Sequence, residues 1–139
     1  NKRHRIYITR RAAPGGRRIT NEPALVALLE RFGFRAHALE ALSLQEQIEL
    51  FYDAEAVVAP HGAGLTNMLF AESIDIVELH PASTVMPHYY FMARSLGHRY
   101  RHLCATQLDR HSSFEVDLDT LESLLRHTLS HEQGATACA

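Results

Sequence analysis

Cysteine and lysine are scarce in this chain of 139 residues, tryptophan is absent, and no long apolar run occurs. The two cysteines, Cys104 and Cys138, do not make a disulfide framework because Cys138 lies in a tail of small residues, so a reducing compartment is the simpler interpretation. No apolar run approaches the roughly 18–20 residues of a membrane span, and no signal-peptide pattern opens the chain. Lys2 is the only lysine among many arginines, which favours a GC-rich bacterial source. We therefore expect a cytoplasmic protein that meets a membrane only through other parts of a longer chain.

A strong net charge is also missing. The formal charge of −2 gives no general reason to expect binding to nucleic acid or to a membrane surface. Arginines nevertheless crowd the beginning of the sequence, where they either form a solvated surface or serve an anionic ligand. Arg18 could bind an anionic ligand or form a surface ion pair with Glu22, and both interpretations stay open.

Short β-branched runs alternate with segments of helical periodicity, and nothing in the sequence is typical of a hairpin. Strands are predicted at Ile6–Thr9, Arg35–Leu39, Glu55–Ala59, Ile74–Leu79 and Arg99–Leu103. Helices are predicted after an Asn21 N-cap, after the capping box Ser43–Glu46, over Leu65–Phe70, after Pro87, and over Asp117–His131. This alternation predicts parallel strands with helices on both faces of the sheet.

The predicted fold is therefore α/β: a three-layer, Rossmann-like domain over residues 1–131 with a parallel sheet of about five strands, followed by a flexible tail at 132–139. Ligands of such sheets lie beyond the carboxyl ends of the strands, near the point where the strand order reverses. Arg10, His61 and Glu78 each fall at or just past the end of a predicted strand. We expect these three residues to converge on one rim of the sheet.

The segment Ala54–Asn67 carries the strongest functional pattern, because a β-branched run ends in proline, passes two glycines and opens into a helix-like stretch. A strand, a glycine loop and a helix N-terminus together present backbone N–H groups to an anion such as phosphate. The segment is not a Walker loop, and it lacks the third glycine of the dinucleotide fingerprint. Gly62 and Gly64 could also do no more than permit a tight turn.

Several blocks of the sequence occur in the order and spacing seen in glycosyltransferase family 61, which is also described as capsular polysaccharide biosynthesis proteins in bacteria. The chain resembles this family over a stretch from about Arg5 to Pro81. The matching blocks are Arg5–Arg10, Arg18–Glu22, Phe34, Leu39–Ser43 with Glu46 and Gln47, Ala59–Asn67 and Val77–Pro81.

The resemblance implies a GT-B enzyme, in which two Rossmann-like domains face each other across a cleft. The chain is similar to the C-terminal half, which holds the nucleotide-sugar donor, expected to be UDP-linked. Inverting transfer to a glycan acceptor is implied, with no cofactor and no bound metal, and the Asp-x-Asp at Asp117–Asp119 is interpreted as a helix cap. The acceptor site and the catalytic base are expected on a missing N-terminal domain. The fragment alone is therefore expected to bind donor with little or no turnover.

In such a transfer, negative charge grows on the leaving diphosphate, and without a metal it must be stabilised by fixed dipoles and cations. The amides of Gly62–Thr66 suit this role, Arg10 can pair bidentately with phosphate, and Arg18 is a second candidate. The predicted donor-binding residues are Arg10, Arg18, His61, Gly62, Ala63, Gly64, Leu65, Thr66, Asn67 and Glu78.

Structural alternatives remain open for several of these side chains. Thr66 and Asn67 could donate to the phosphates or satisfy the first turn of the helix. His61 could bind the diphosphate, protonate the leaving group or brace the loop, and binding is the favoured role. Glu78 could hold ribose hydroxyls or face solvent at the strand end. The ten histidines are scattered along the sequence, so no metal site is predicted.

Two other functions compete with the transferase hypothesis. The first is a dinucleotide-dependent oxidoreductase domain, against which Asn67 counts because it stands in place of the third glycine. The second is a noncatalytic module that binds a nucleotide or phosphate without chemistry.

Overall fold

The computed structural model describes residues 3–10, 18–81, 86–107 and 113–134. The strands in these ranges are β1 His4–Ile8, β2 Phe34–His37, β3 Ala54–Pro60, β4 Asp75–Pro81, β5 Arg99–Gln107 and β6 Phe114–Glu115. The α-helices are α1 Glu22–Arg31, α2 Leu44–Tyr52, α3 His88–Leu96 and α4 Leu118–Gly134, and two 3₁₀ helices span Leu39–Ala41 and Ala63–Phe70. The end of α4 overlaps the predicted tail, of which residues 135–139 lie outside the described ranges.

All six strands form one sheet in the order β2-β1-β3-β4-β5-β6. Strands β1 to β5 run parallel, which confirms the α/β prediction of a mostly parallel sheet. The prediction of about five strands and no hairpin-like pairing is wrong at one edge, where β6 runs antiparallel to β5. Strand β6 has only two residues, too few for an alternating pattern to reveal it.

Helices cover both faces of the sheet, so the predicted three layers are present. One apolar cluster joins α1 and α4 to one face through residues that include Tyr7, Leu25, Leu29, Val58, Leu121 and Leu125. The other joins α2, the second 3₁₀ helix and α3 to the opposite face through Ile6, Phe51, Val57, Leu65, Met68 and Ala93, among others. Neighbouring strand residues therefore point to opposite layers, as the two-residue period of a strand requires.

The predicted capping box begins α2: the Ser43 hydroxyl accepts from the Glu46 amide at 3.2 Å, and the Glu46 carboxylate accepts from the Ser43 amide at 2.7 Å. Asp117 caps α4 as predicted, because its carboxylate accepts from the Thr120 amide at 3.1 Å. Asn21 occupies the N-cap position of α1 but forms no side-chain cap bond. Its amide group instead pairs with the backbone of Val116. Asn21 is therefore the N-cap residue of α1 as predicted, although its side chain bonds Val116 rather than the first turn of the helix.

The helix predicted over Leu65–Phe70 is a 3₁₀ helix that begins at Ala63 rather than an α-helix. Its two buried side chains, Leu65 and Met68, are three residues apart. Three residues per turn places both side chains on one line facing the core.

The remaining predicted boundaries shift by a few residues. Strand β2 stops at His37, and a 3₁₀ turn takes up the predicted strand end at Leu39. Strand β5 continues to Gln107, beyond the predicted end at Leu103. Cys104 is a free, exposed thiol in that extension, whereas Cys138 lies outside the described ranges.

Candidate functional site

The order β2-β1-β3 places a crevice between the carboxyl ends of β1 and β3, because the chain turns to opposite sides after these neighbouring strands. A cavity of about 170 Å³ occupies this position. It is lined by Ile8, Thr9, Arg10, Leu39, Glu40, Ala59, Pro60, Gly62, Ala63, Gly64 and Leu65. Most of the predicted donor-binding segment therefore borders one small cavity at the switch point of the sheet.

The glycine loop, His61–Gly64, needs glycine for close approach rather than for an unusual backbone angle. Gly62 has φ 169° and ψ 167°, an extended conformation open to any residue. A Cβ at Gly62 would collide with the Arg10 guanidinium, and one at Gly64 would lie 2.9 Å from the Leu39 side chain. The glycines thus allow Arg10 and the first 3₁₀ turn to press against the loop.

The Arg10 side chain packs against the glycine loop, and its Nη1 donates to the His61 carbonyl oxygen at 2.9 Å. The predicted meeting of these two residues at one rim is therefore present in the fold. The bond holds a permanent positive charge beside the loop amides. This bond uses Nη1 of Arg10, and the guanidinium has further N–H groups that can donate to an anion.

The loop leads into the 3₁₀ helix Ala63–Phe70. The first N–H groups of a helix have no hydrogen-bond acceptor within that helix. Leu65 N–H donates to the Gly62 carbonyl at 3.1 Å, which closes the first turn. Among the described residues, no backbone hydrogen bond outside regular elements engages the amides of Ala63 and Gly64. These two N–H groups border the same cavity as Arg10.

The rest of the predicted segment divides into core, surface and bracing residues. Leu65 is fully buried in the apolar core, whereas Thr66 and Ala63 are exposed. The Asn67 side chain donates to Gln47 on α2 at 2.9 Å. Asn67 therefore ties the 3₁₀ helix to α2, a structural role different from the predicted alternative of satisfying the first turn of its own helix.

Arg18 does not lie on the glycine loop. It is exposed, and its carbonyl accepts from the amide of Phe114 in β6. Its predicted alternative partner, Glu22, accepts hydrogen bonds from Tyr7 and Thr9. The fold therefore places Arg18 beside the edge strand and gives it no contact with the loop among the described residues.

A buried polar cluster lies on the other side of His61 and consists of His61, Glu78, His80 and Tyr100. His61 Nδ1 lies 2.7 Å from Glu78 Oε2, and His80 Nε2 lies 3.1 Å from Glu78 Oε1. Tyr100 donates a short hydrogen bond to the same Oε1. Glu78 is fully buried, so the prediction that its carboxylate could face solvent at the strand end is wrong. Three protein groups contact it instead.

Burial and hydrogen bonding act on the protonation of this cluster. Burial is the largest influence on His61 and lowers its pKa against the opposing effect of Glu78, so the imidazole is neutral near pH 7. Burial alone would raise the pKa of Glu78, but hydrogen bonds from His80, Tyr100 and His61 lower it overall. Burial and the Glu78 carboxylate raise the pKa of Tyr100, so its hydroxyl keeps its proton. The Glu78 carboxylate therefore contacts a neutral His61 imidazole and a protonated Tyr100 hydroxyl.

His61 is the residue that joins the cavity and the cluster. Its carbonyl faces Arg10 and its Nδ1 faces Glu78, and among the described residues no hydrogen bond engages Nε2. A neutral imidazole that a carboxylate holds at one nitrogen can contact a ligand or accept a proton at the other. The sequence did not reveal this pair, since Glu78 comes from the neighbouring strand β4.

Other residues at the site were missed in the sequence. Thr9 and Glu40 line the loop cavity, and their positions just after β1 and β2 are the signal that could have identified them. Tyr100 reaches Glu78 from β5, a contact that only the strand register reveals. His61, Glu78 and His80 also form the one group of buried potential metal ligands found in the described part of the chain.

The fold and its site define an α/β protein with a basic glycine loop at the switch point of a parallel sheet. Residues 1–86 match the family model Glycosyltransferase 61. The chain therefore belongs to glycosyltransferase family 61, and this membership indicates glycosyltransferase activity. The search of curated proteins gave no match. None of the described helices has the length and apolar character needed to cross a bilayer.

Proposed function

We propose that this chain binds the nucleotide-sugar donor of an inverting glycosyltransferase, with the donor diphosphate over the glycine loop. The observation that carries this proposal is the hydrogen bond from Arg10 Nη1 to the His61 carbonyl at 2.9 Å. The guanidinium lies against Gly62, and Arg10 lines one cavity together with Ala63 and Gly64, whose backbone amides open the 3₁₀ helix. Both kinds of group stabilise an anion, and the leaving diphosphate is where negative charge grows during transfer.

The size of the cavity supports a phosphate group rather than a whole nucleotide. About 170 Å³ is small for a complete ligand, and cofactor sites are typically about 300–1,000 Å³. The sugar and the base would then extend beyond this cavity. Glu40 stands at its exposed rim and could accept a hydrogen bond from a sugar or ribose hydroxyl.

The finer assignments follow from the same proposal. The chain would be the donor-binding, C-terminal half of a GT-B enzyme, with the glycan acceptor bound by another domain. A UDP-linked donor, diphosphate binding without an Asp-x-Asp-bound metal, a capsular or cell-surface polysaccharide product and a cytoplasmic location stay predictions. In this arrangement the chain alone binds donor without measurable turnover, and a time course of UDP release from UDP-sugars checks that.

Calorimetric titration with UDP, UDP-sugars and NADH tests the proposal. We expect UDP to bind and NADH not to bind. Arg10→Ala should weaken UDP binding roughly 10- to 100-fold, since a hydrogen bond to a charged group is worth about 1.5–3 kcal/mol. Arg35→Ala is the matched control because Arg35 is exposed on β2, outside the cavity lining, and it should leave the affinity unchanged.

Two results would contradict the proposal. Tight NADH binding would favour the oxidoreductase alternative, and equal UDP affinity for the Arg10 and Arg35 variants would remove the loop from the donor site. Sugar transfer by a longer protein that contains this chain would distinguish a transferase from a noncatalytic nucleotide-binding module.

A further inference from the structure

Three buried side chains with metal-binding atoms converge behind the glycine loop. Glu78 and His80 are two residues apart on β4 and so face the same side of the sheet, while His61 follows the neighbouring strand β3. The candidate ligand atoms of the three residues all lie within 4.8 Å of one another. We propose that His61, Glu78 and His80 bind a divalent first-row transition-metal ion, with Zn²⁺ as the best match.

The buried charge of Glu78 is the first support. The residue has no exposed surface, and both carboxylate oxygens contact protein groups. Those groups are two imidazoles and the Tyr100 hydroxyl, and within the described ranges no arginine or lysine side chain contacts the carboxylate. A buried charge is costly unless it is paired or coordinates a metal. A divalent cation among these three residues would neutralise the Glu78 carboxylate.

The chemistry of the donor atoms selects the class of metal. Two imidazoles and one carboxylate form a common set for first-row ions, whereas Ca²⁺ and Mg²⁺ prefer oxygen ligands alone. Tyr100 already hydrogen-bonds the carboxylate and can orient it from outside the coordination sphere. Three protein ligands leave a fourth position of a tetrahedral ion for water or another ligand.

The surroundings give the ion a path and a further donor. His80 also lines a cavity of about 420 Å³ together with Met86, Pro87, Tyr90, Tyr100 and His102. The exposed ring of His88 lies 4.9 Å from the His61 ring, close enough to offer a nitrogen after a change of rotamer. His80 Nδ1 is buried and has no hydrogen-bond partner among the described residues. Coordination through Nε2 would move the ring proton to Nδ1, and that N–H would then need a water molecule as its acceptor.

The test uses the untagged chain and two titrations. Tetrahedral Co²⁺ should give visible d–d absorption that Zn²⁺ removes, and Zn²⁺ should bind in calorimetry with one site per chain. His80→Gln should abolish the Co²⁺ bands and weaken Zn²⁺ binding roughly 10-fold or more. His127→Gln removes an exposed histidine of α4 outside the cluster and should change neither result.

The Co²⁺ spectrum of the unaltered chain needs no variant, so the proposal stays testable if His80→Gln does not fold. Absence of both the Co²⁺ bands and a Zn²⁺ binding heat would overturn the metal site and leave a hydrogen-bonded cluster only. Equal Zn²⁺ binding by both variants would assign the ion to surface histidines and overturn it as well. UDP binding is measured separately and does not depend on this outcome.

Discussion

At the scale of the residue, His61 joins the two halves of the candidate site. Its carbonyl binds the Arg10 guanidinium, and its ring binds the Glu78 carboxylate. Its amide donates to the Leu79 carbonyl at 3.0 Å, which continues the β3–β4 ladder by one bond. Three fixed contacts therefore hold this residue, so the loop geometry is set before any ligand arrives. Such preorganisation is what electrostatic stabilisation of a leaving group requires.

Gly62→Ala should separate binding from stability. The new Cβ would displace the Arg10 guanidinium, so we expect UDP affinity to fall roughly 10- to 100-fold through loss of a charge-assisted contact. The extended backbone of Gly62 suits alanine, so the free energy of unfolding should change by less than about 1 kcal/mol. Calorimetry with UDP and urea unfolding measure the two effects.

Gly97→Ala is the matched control for that substitution. Gly97 has φ 78° at the end of α3, and a Cβ there meets nothing within 4 Å. The left-handed conformation should cost about 1–2 kcal/mol of stability while UDP affinity stays unchanged. A large loss of stability in Gly62→Ala with unchanged UDP affinity, and no loss of stability in Gly97→Ala, would contradict the role given to the Arg10 contact.

The sequence could predict those site residues whose position along the chain decides their place. Arg10 and His61 follow strands, and parallel strands end at one edge, so their meeting was predictable. The direction of each side chain was not. Asn67 points to Gln47 because of how the 3₁₀ helix packs on α2, and Tyr100 reaches Glu78 through the register of β4 and β5. Contacts between distant segments have no signature in one sequence.

At the scale of the element, Ser43→Ala should loosen α2. The substitution removes one half of the capping box and should lower the free energy of unfolding by about 0.5–2 kcal/mol. Ser95→Ala at an exposed position in the last turn of α3 is the control, and it should be neutral or slightly stabilising because alanine favours a helix. Urea unfolding of both variants checks the difference, and equal midpoints would show that the cap contributes nothing.

His37 at the end of β2 should make stability depend on pH. Burial lowers its pKa from the usual 6.5, and the nearby charges of His4 and Arg35 act in the same direction. Acidic side chains of Glu46, Glu49 and Asp53 line the same cavity as His4 and His37.

A lowered folded pKa means that the unfolded chain binds more protons just below pH 6.5. Stability from this group is therefore complete above pH 6.5 and is lost as the pH falls toward the folded pKa. The urea concentration at the midpoint of unfolding should decrease as the pH is lowered from 8 to 5. His37→Gln should make this decrease smaller. The pKa of His61 is lowered as well, so some dependence should persist. An unchanged slope in the variant would exclude His37 as a source.

The regular elements were predictable because their periodic patterns are long enough to read. Helix α1 places Leu25, Leu28 and Leu29 on its buried face, as the spacing indicates. Strand β6 and the 3₁₀ helix at Ala63 were not predictable in the same way. The first is too short to alternate. In the second, the buried residues Leu65 and Met68 are three residues apart, and both an α-helix and a 3₁₀ helix place such a pair on one face.

At the scale of the whole molecule, the strand order decides where a ligand can bind. The buried apolar side chains that line the crevice between β1 and β3 come from one layer, because Ile8, Leu39, Ala59 and Leu65 all belong to the cluster that includes α2 and the second 3₁₀ helix. The cavity forms only when β1, β3 and the 3₁₀ helix are all in place. A ligand held there binds the folded chain and not the unfolded one.

This dependence predicts that UDP stabilises the whole fold. At a UDP concentration about 100 times its Kd, the free energy of unfolding should rise by about 2.7 kcal/mol, which raises the midpoint of thermal unfolding by about 10 °C in a chain of this size. With Arg10→Ala at the same UDP concentration, a 10- to 100-fold loss of affinity leaves only about 0.4–1.4 kcal/mol. Thermal unfolding with increasing UDP measures both values, and NADH serves as the ligand control. A similar shift with NADH, or an undiminished UDP shift in the variant, would mean that stabilisation arises somewhere other than the loop and Arg10.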